Sequence, residues 1–260
     1  MNETSPIPLP DRADSAEVAR LWESACVTAG KISHDFRNFF NIVLGFTSLS
    51  IELVASSSKV AQYLREIDGG CVQGREYLDQ LSILARSDHS SIGSCSIREV
   101  VHEEIRRFRG RIARKVVFPE SQDEIAPICA IESTTLSVCL QQLLANAAEA
   151  TGMNDSIRIT SGLIQLSEAG LKDSQLFGRM LPGKYGRISI CESGTGIPAD
   201  VMSRLLRVPF VSEKRHRPGV GLGIVFLKLW QCGGGLRLES EHGSETRIEM
   251  FVPLAEVHRR

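Results

Sequence analysis

The segment at 31–46, KISHDFRNFFNIVLGF, constrains the fold more than any other part of the chain. Its apolar residues recur in alternating steps of four and three, at Ile32, Phe36, Phe39, Val43 and Phe46. This heptad spacing predicts a helix that packs against other helices. The seam accounts for the phenylalanines but leaves the polar residues of the same helix without an explanation.

Those polar residues form a row on the outer side of the predicted helix. His34, Asn38 and Asn41 follow one another at intervals of four and three, which places them on one exposed stripe, and Asp35 lies beside the histidine. Taken alone, the row favours a solvated helix face that happens to carry a histidine. The glycine-rich segments farther along the chain favour a functional role instead.

Two long helices are predicted in the first third of the chain. The first runs from near Ala16 to about Val54, the second runs from about Lys59 to Arg86, and residues 1–15 are expected to be a disordered tail. Two amphipathic helices cannot enclose a core, so we expect a second copy to complete a dimeric four-helix bundle. The alternative is a hairpin packed on the C-terminal domain of its own chain, and the narrow seams favour the dimer.

A serine-rich linker at 87–96 separates the helical hairpin, residues 16–88, from a domain of mixed helix and strand, residues 89–260. Its predicted elements are helices at 97–109, 134–151 and 222–230, strands at 115–118, 127–131, 156–166, 185–191, 236–240 and 246–253, and a loop at 167–183. Strands and helices do not alternate one by one. The sequence therefore predicts an α+β chain: an antiparallel helical hairpin followed by an α/β sandwich, one mixed sheet covered by helices.

Composition excludes several classes of protein. A formal net charge of −1 provides no basic field for nucleic acid or an anionic membrane. The longest apolar runs are too short to span a bilayer, and the N-terminal segment lacks the pattern of a secretory signal. Seven cysteines are scattered singly, which favours reduced thiols. We therefore expect a cytoplasmic protein that binds neither nucleic acid nor membrane.

Two patches in the second domain carry polar residues where apolar ones are expected. Asn146 and Glu149 lie on an otherwise apolar helix; an amide oxygen can bind Mg²⁺, although a lone asparagine more often specifies a core. Glu192 ends a strand and is followed by Gly194 and Gly196. The acid could accept a hydrogen bond from an exocyclic amine while the glycines admit a flat ring, and the alternative is a tight turn.

A third patch, RPGVGLGIVFLKLW at 217–230, places Gly219, Gly221 and Gly223 directly before a helix. Exposed backbone N–H groups at a helix start form a phosphate site, and the alternative is a mobile hinge. The spacing is neither that of a Walker loop nor that of a Rossmann loop.

Together, the order and spacing of these patches resemble those of the sensor histidine kinases of two-component systems. SHDFRN resembles the phosphoacceptor box, QQLLANAAEA the N box, ESGTGIP the first glycine box, RVPF the F box, GVGLGI the second glycine box and GSETRIEMFVP the closing strand. The resemblance spans about residues 20–254. LPGKYGRISICESGTGIP is similar to the corresponding segment of the nitrogen-regulation and cell-cycle kinases.

The resemblance implies an ATP-dependent protein histidine kinase with a dimerisation hairpin and a gyrase-like ATP-binding domain. His34 would accept the γ-phosphoryl group, with Asp35 accepting or orienting its proton. The group would then pass to an aspartate on a response-regulator receiver domain, and Asn38 would orient a water that dephosphorylates this partner. A separate sensor protein is expected to supply the signal.

The resemblance also implies where ATP and Mg²⁺ bind. Mg²⁺ would lie at Asn146, Glu192 would read the adenine amine, and the second glycine box would hold the phosphates under a mobile lid at about 199–220. The implied nucleotide contacts are Asn146, Glu149, Glu192, Gly194, Gly196, Lys214, Gly219, Gly221, Leu222 and Gly223.

Some positions depart from the family pattern. Glu192 stands where the family has aspartate, Gln142 stands where many members have asparagine, and the lid reads PFVSEKRHRPG. An alternative function is therefore a dimeric histidine phosphotransferase whose kinase-like domain no longer uses ATP. A third is a related ATP-binding regulator that phosphorylates serine or only binds a partner, and the exposed row at His34 argues against it.

Overall fold

The computed structural model describes residues 12–85, 93–110, 115–118, 127–152, 155–173, 175–209 and 219–255. Its α-helices are α1 (Arg12–Glu52), α2 (Lys59–Ala85), α3 (Ile97–Arg109), α4 (Ser133–Ala150), α5 (Ala199–Met202) and α6 (Gly221–Gln231). Its strands are β1 (Cys95–Ser96), β2 (Lys115–Val117), β3 (Ile128–Cys129), β4 (Ser156–Leu166), β5 (Leu176–Gly178), β6 (Gly183–Glu192), β7 (Gly235–Ser240) and β8 (Thr246–Pro253). The predicted fold class, a helical hairpin followed by a mixed sheet with helices, is confirmed.

One six-stranded sheet organises the second domain, in the order β2-β4-β6-β8-β7-β5. The β2–β4 pair is parallel and the other neighbours are antiparallel. Helices α4 and α6 pack on each other and on the sheet. The leucines of α4 recur at helical spacing and are buried, at Leu136, Leu140, Leu143 and Leu144. Burial of each such side chain contributes about 1.5–3 kcal/mol, so α4 contributes substantially to the hydrophobic core of the domain.

The hairpin of α1 and α2 is held by a stripe other than the predicted seam. The Phe40 ring of α1 lies against Gly74 of α2, where a Cβ would be 2.6 Å from the ring. Thr47 donates a hydrogen bond to Asp68 at 3.2 Å. The large side chains of the seam stay exposed in the single chain, at Ile32, Phe36, Phe39 and Phe46, while Val43 is half-buried. The heptad seam is therefore a free apolar face of this hairpin.

The first half of α1 packs on the second domain, which the sequence interpretation disfavoured. Helix α1 begins at Arg12, four residues before the predicted start, so the predicted disordered tail is wrong for residues 12–15; residues 1–11 lie outside the described ranges. A stripe of this half is buried, at Ser15, Val18, Ala19, Trp22 and Cys26, and α1 contacts α6 and β5. The spacing of this stripe is helical. Several of its members are small or polar, so the sequence does not indicate that the stripe is buried.

Two short pairings also differ from prediction. The end of the predicted linker forms β1, which pairs with β3. The predicted loop at 167–183 contains a 3₁₀ turn, Gly170–Lys172, and the edge strand β5, which pairs with β7. Strands of two or three residues are too short to show a period of their own, because pairing with a distant strand defines them.

The cysteines lie in both the helical hairpin and the second domain. All seven lie in the described ranges and are free thiols. Burial raises the pKa of Cys129 and of Cys139 to about 12, so both thiols remain protonated and unreactive at neutral pH. In the part of the chain that the structure describes, no helix combines the length and the apolar character needed to cross a membrane.

Candidate functional site

The predicted patches of the second domain meet at a cavity of about 320 Å³. Its walls come from α4, the end of β6 and the loop after it, the start of α6, and β8. The predicted nucleotide contacts that line it are Asn146, Glu149, Glu192, Gly196, Gly219, Gly221 and Leu222. Segments that are distant in sequence thus form one concave site of a size typical for a small molecule.

Glu192 is the last residue of β6 and only 5% exposed. Thr246 lies opposite it on β8 and also lines the cavity. The neighbouring walls are apolar, formed by Ile190 and Ile248 among others. This arrangement suits a flat aromatic ring with an amino group, because the ring can contact the isoleucines while the amine donates a hydrogen bond to the carboxylate.

The glycines that follow Glu192 allow the backbone to approach other segments closely. A Cβ on Gly194 would collide with the Glu192 carboxylate and with the carbonyl of Ala150. Gly196 has φ +63°, and a Cβ there would collide with the Glu241 carbonyl. Gly196 lines the cavity, whereas Gly194 leaves room for the acid without lining it. This segment is therefore a tight turn and also forms part of the cavity wall.

Helix α6 starts beside α4 without a side-chain cap, since Val220 at the N-cap position makes no such bond. The Ile224 N–H donates to the Val220 carbonyl at 2.9 Å, so the N–H groups of the preceding turn have no partner within the helix. A Cβ on Gly221 would lie 3.1 Å from Oε1 of Gln142 and 3.4 Å from Nδ2 of Asn146. An uncapped helix start beside two amides can bind an anion such as a phosphate group.

Gly223 has a different position from the one predicted. It does not line the cavity, and a Cβ on it would collide with the indole ring of Trp22 on α1. Trp22 itself lines the cavity and is 2% exposed. Its Nε1–H donates a hydrogen bond to the Leu206 carbonyl oxygen at 2.7 Å. The cavity thus contains a residue of the first helix that no motif indicated.

The first part of the predicted mobile lid is packed. Within 199–220, residues 199–202 form α5, and Val201 and Leu206 are buried in the cavity wall. Val201 and Leu206 therefore anchor the first part of this segment to the cavity wall, and the mobility of the lid stays a prediction. Lys214 lies outside the described residues.

The polar row on α1 lies apart from the cavity. Asp35, Asn38 and Asn41 are exposed and do not line it. His34 belongs to the same helix, and its side chain lies outside what the structure describes. An α-helix rises 1.5 Å per residue, so about 18 Å along α1 separates Trp22 from His34. The structure does not bring the row and the cavity together within one chain.

Several residues that line the cavity belong to no sequence motif and were not predicted as site residues. Thr246 lies opposite Glu192 only through the register of β6 and β8. Val201 and Leu205 are apolar and resemble ordinary core residues in sequence. Trp22 could have been found only through the helical spacing of the buried stripe on α1.

Residues 131–256 match the protein family described as histidine kinase-, DNA gyrase B-, and HSP90-like ATPase. The chain is 20% identical to the sensor histidine kinase ZraS of Escherichia coli K12 over 227 residues, covering 87% of this chain and 45% of ZraS. It is 25% identical to the sensor kinase CckA of Brucella abortus over 230 residues, covering 86% of this chain and 24% of CckA. The chain therefore spans less than half the length of these relatives.

Solved structures share the fold. ShkA, crystallised at full length in complex with AMPPNP, superposes with a TM-score of 0.62 at 18% identity, covering 88% of this chain and 46% of ShkA. The histidine kinase AdeS of Acinetobacter baumannii gives a TM-score of 0.53 at 17% identity, covering 86% of this chain and 98% of that structure. Residues 131–256 thus carry the match to this ATPase family, and the chain is similar over most of its length to sensor histidine kinases, as the sequence predicts.

Proposed function

We propose that this chain is an ATP-dependent protein histidine kinase that phosphorylates His34 and passes the phosphoryl group to an aspartate of a response regulator. The proposal rests on the cavity, where the buried acid Glu192, the amide of Asn146 and the uncapped start of α6 meet. Except for Trp22, the residues that line the cavity lie in the segment that matches the ATPase family.

The residues of the cavity fit an adenine nucleotide. The adenine ring would lie against Ile190 and Ile248, with its amine donating to Glu192, and the phosphates would meet the N–H groups at the start of α6. In the described ranges, no group of three or more His, Cys, Asp or Glu is placed to bind a metal by itself. The Asn146 amide oxygen, which lines the cavity beside Gly221, would hold Mg²⁺, and the ion would neutralise charge on the transferred group.

The transfer joins the two parts of the chain. A ring nitrogen of His34 attacks the γ-phosphorus, so the N–P bond forms as the bond to the bridging oxygen breaks and ADP leaves. Asp35 accepts or orients the proton of the imidazole. Asn38, one turn on and exposed, can orient a water for dephosphorylation of the regulator. Because the cavity and the row lie apart, transfer requires either movement of the ATPase domain along α1 or the His34 of a second copy.

The exposed seam supports the proposal of a dimer. Phe36 is 51% exposed and Phe39 is 58% exposed in the single chain, and the seam continues to Phe46. Contiguous apolar faces of this kind mark sites of protein association. We propose that the seam of a second copy covers this face, giving the four-helix bundle that the spacing predicts.

Phe39→Asp should convert a dimer into a monomer. The full chain is expected to sediment as a dimer at micromolar concentration, and the variant as a monomer with unchanged helical circular dichroism, because the substitution introduces a charge into the apolar face. Asn41→Asp is the matched control, since Asn41 is exposed on the polar row of the same helix. A Phe39→Asp chain that remains dimeric would show that the seam is not the interface.

Transfer to a receiver domain tests the relay. The chain is phosphorylated with γ-labelled ATP, freed of nucleotide and mixed with receiver domains from the same organism. The label should leave the chain and appear on at least one receiver, and it should not appear when the phosphoacceptor aspartate of that receiver is replaced by asparagine. A labelled chain that donates to none of the receivers would contradict the second half of the proposal.

A further inference from the structure

The first half of α1 presents a docking stripe to the ATPase domain, formed by Ser15, Val18, Ala19, Trp22 and Cys26. Burial raises the pKa of the Cys26 thiol to about 11; Glu23 adds to the rise, and the nearby ammonium of Lys228 on α6 opposes it. The stripe thus lies over α6, the helix whose first turn forms part of the cavity.

Trp22 is the member of the stripe that reaches the cavity. Its ring covers Gly223, where no side chain larger than hydrogen would fit, and its Nε1–H bonds to the Leu206 carbonyl. Leu206 has φ +67°, a conformation that costs a leucine free energy. The hydrogen bond from Trp22 and the burial of the leucine side chain hold it there. Trp22 therefore fixes two segments of the cavity wall at once.

The ring is a wall of the cavity and does not fill it. The cavity of about 320 Å³ exists with Trp22 in place, and Asn146, Glu192 and Gly221 all line it. Removal of the indole would open this side of the cavity and release Leu206. The second domain forms most of this binding site, and Trp22 of α1 completes its wall.

We propose that Trp22 is a positioning residue of the nucleotide site, supplied by the phosphoacceptor helix, so that nucleotide binding and docking of the stripe stabilise each other. This inference rests on the proposed function, because it takes ATP as the ligand of the cavity. Coupling between two binding events is reciprocal. If docking of Trp22 raises the affinity for nucleotide by some factor, bound nucleotide favours docking of α1 by the same factor. His34 lies about 18 Å farther along this helix, so nucleotide binding fixes the position of the helix that carries it.

Tryptophan fluorescence tests the contact directly. The chain has two tryptophans, so the same chain with Trp230→Phe retains Trp22 as its only tryptophan reporter. Titration with AMPPNP and Mg²⁺ should give a saturable change in Trp22 emission, with the same Kd that calorimetry gives for the wild type. A Trp230→Phe chain that binds AMPPNP by calorimetry while Trp22 emission stays constant would contradict the inference.

Variants test the coupling. Trp22→Phe removes the hydrogen bond to Leu206 and part of the indole that lies against Gly223, so the Kd for AMPPNP should rise roughly 2- to 10-fold in a chain that remains folded by circular dichroism. Trp22→Ala should weaken binding further. Leu21→Ala, on the same helix but exposed and outside both the stripe and the cavity lining, is the matched control and should change the Kd by less than about twofold.

The outcomes separate the two proposals. Wild-type binding with an unchanged or lower Kd in both Trp22 variants would overturn this inference and leave the proposed function standing. No binding of AMPPNP by the wild type would overturn the proposed function, and this inference with it.

Discussion

His34→Gln is expected to abolish phosphorylation of the chain while the fold and the proposed dimer persist. Glutamine lacks the nucleophilic ring nitrogen that forms the N–P bond, so incorporation of label from γ-labelled ATP should fall to background. The neighbouring row residues Asp35 and Asn38 are exposed, which predicts a small packing contribution from this face of α1.

The control for this variant is Asn41→Ala, which alters the same exposed row and should keep full labelling. Binding of AMPPNP should be the same in the wild type and in His34→Gln, because His34 is remote from the cavity along α1. Labelling of His34→Gln at the wild-type level would show that another residue accepts the phosphoryl group.

Glu192→Ala is expected to weaken nucleotide binding by about one to two orders of magnitude. A hydrogen bond between the adenine amine and a charged carboxylate contributes roughly 1.5–3 kcal/mol, and about 1.4 kcal/mol corresponds to a tenfold change in Kd. Glu192→Asp should preserve or improve binding, because it restores the residue of the family pattern. Calorimetry with AMPPNP and Mg²⁺ measures both effects.

Glu239→Ala serves as the control for charge, since Glu239 lies on β7 outside the cavity lining and should leave the Kd unchanged. Unaltered binding in Glu192→Ala would show that Glu192 does not bind the adenine amine. If the wild type fails to bind at millimolar nucleotide, the kinase assignment fails and the histidine phosphotransferase becomes the better explanation.

The sequence indicates the long, regular elements well because each carries its own periodicity. Helix α4 repeats its leucines at helical spacing, and β8 was predicted at 246–253 and is found at Thr246–Pro253. The GxG spacing of Gly194 and Gly196 after a strand is also visible in sequence, although the backbone segments that approach these glycines, at Ala150 and Glu241, are distant in the chain. Helices and strands that are defined by the periodicity of their own sequence can therefore be predicted from it.

Contacts between distant segments could not be predicted in this way. The edge strand β5 exists only through its pairing with β7. Gly223 looks like a phosphate-loop glycine in sequence, yet in the structure it makes room for Trp22, which lies about 200 residues earlier in the chain. The docking stripe on α1 and the packed residues after α5 belong to the same class, because tertiary contacts define them.

The acid stability of the phosphorylated protein distinguishes phosphorylation on histidine from phosphorylation on a hydroxyl group. Wild-type chain is incubated with γ-labelled ATP and Mg²⁺, separated from nucleotide, and divided between acid and alkali. A phosphohistidine has an N–P bond that acid cleaves and alkali spares, so a histidine kinase should lose its label in acid and retain it in alkali. Label that survives acid, or the absence of any label while AMPPNP binds, would contradict the assignment of this chain as a histidine kinase.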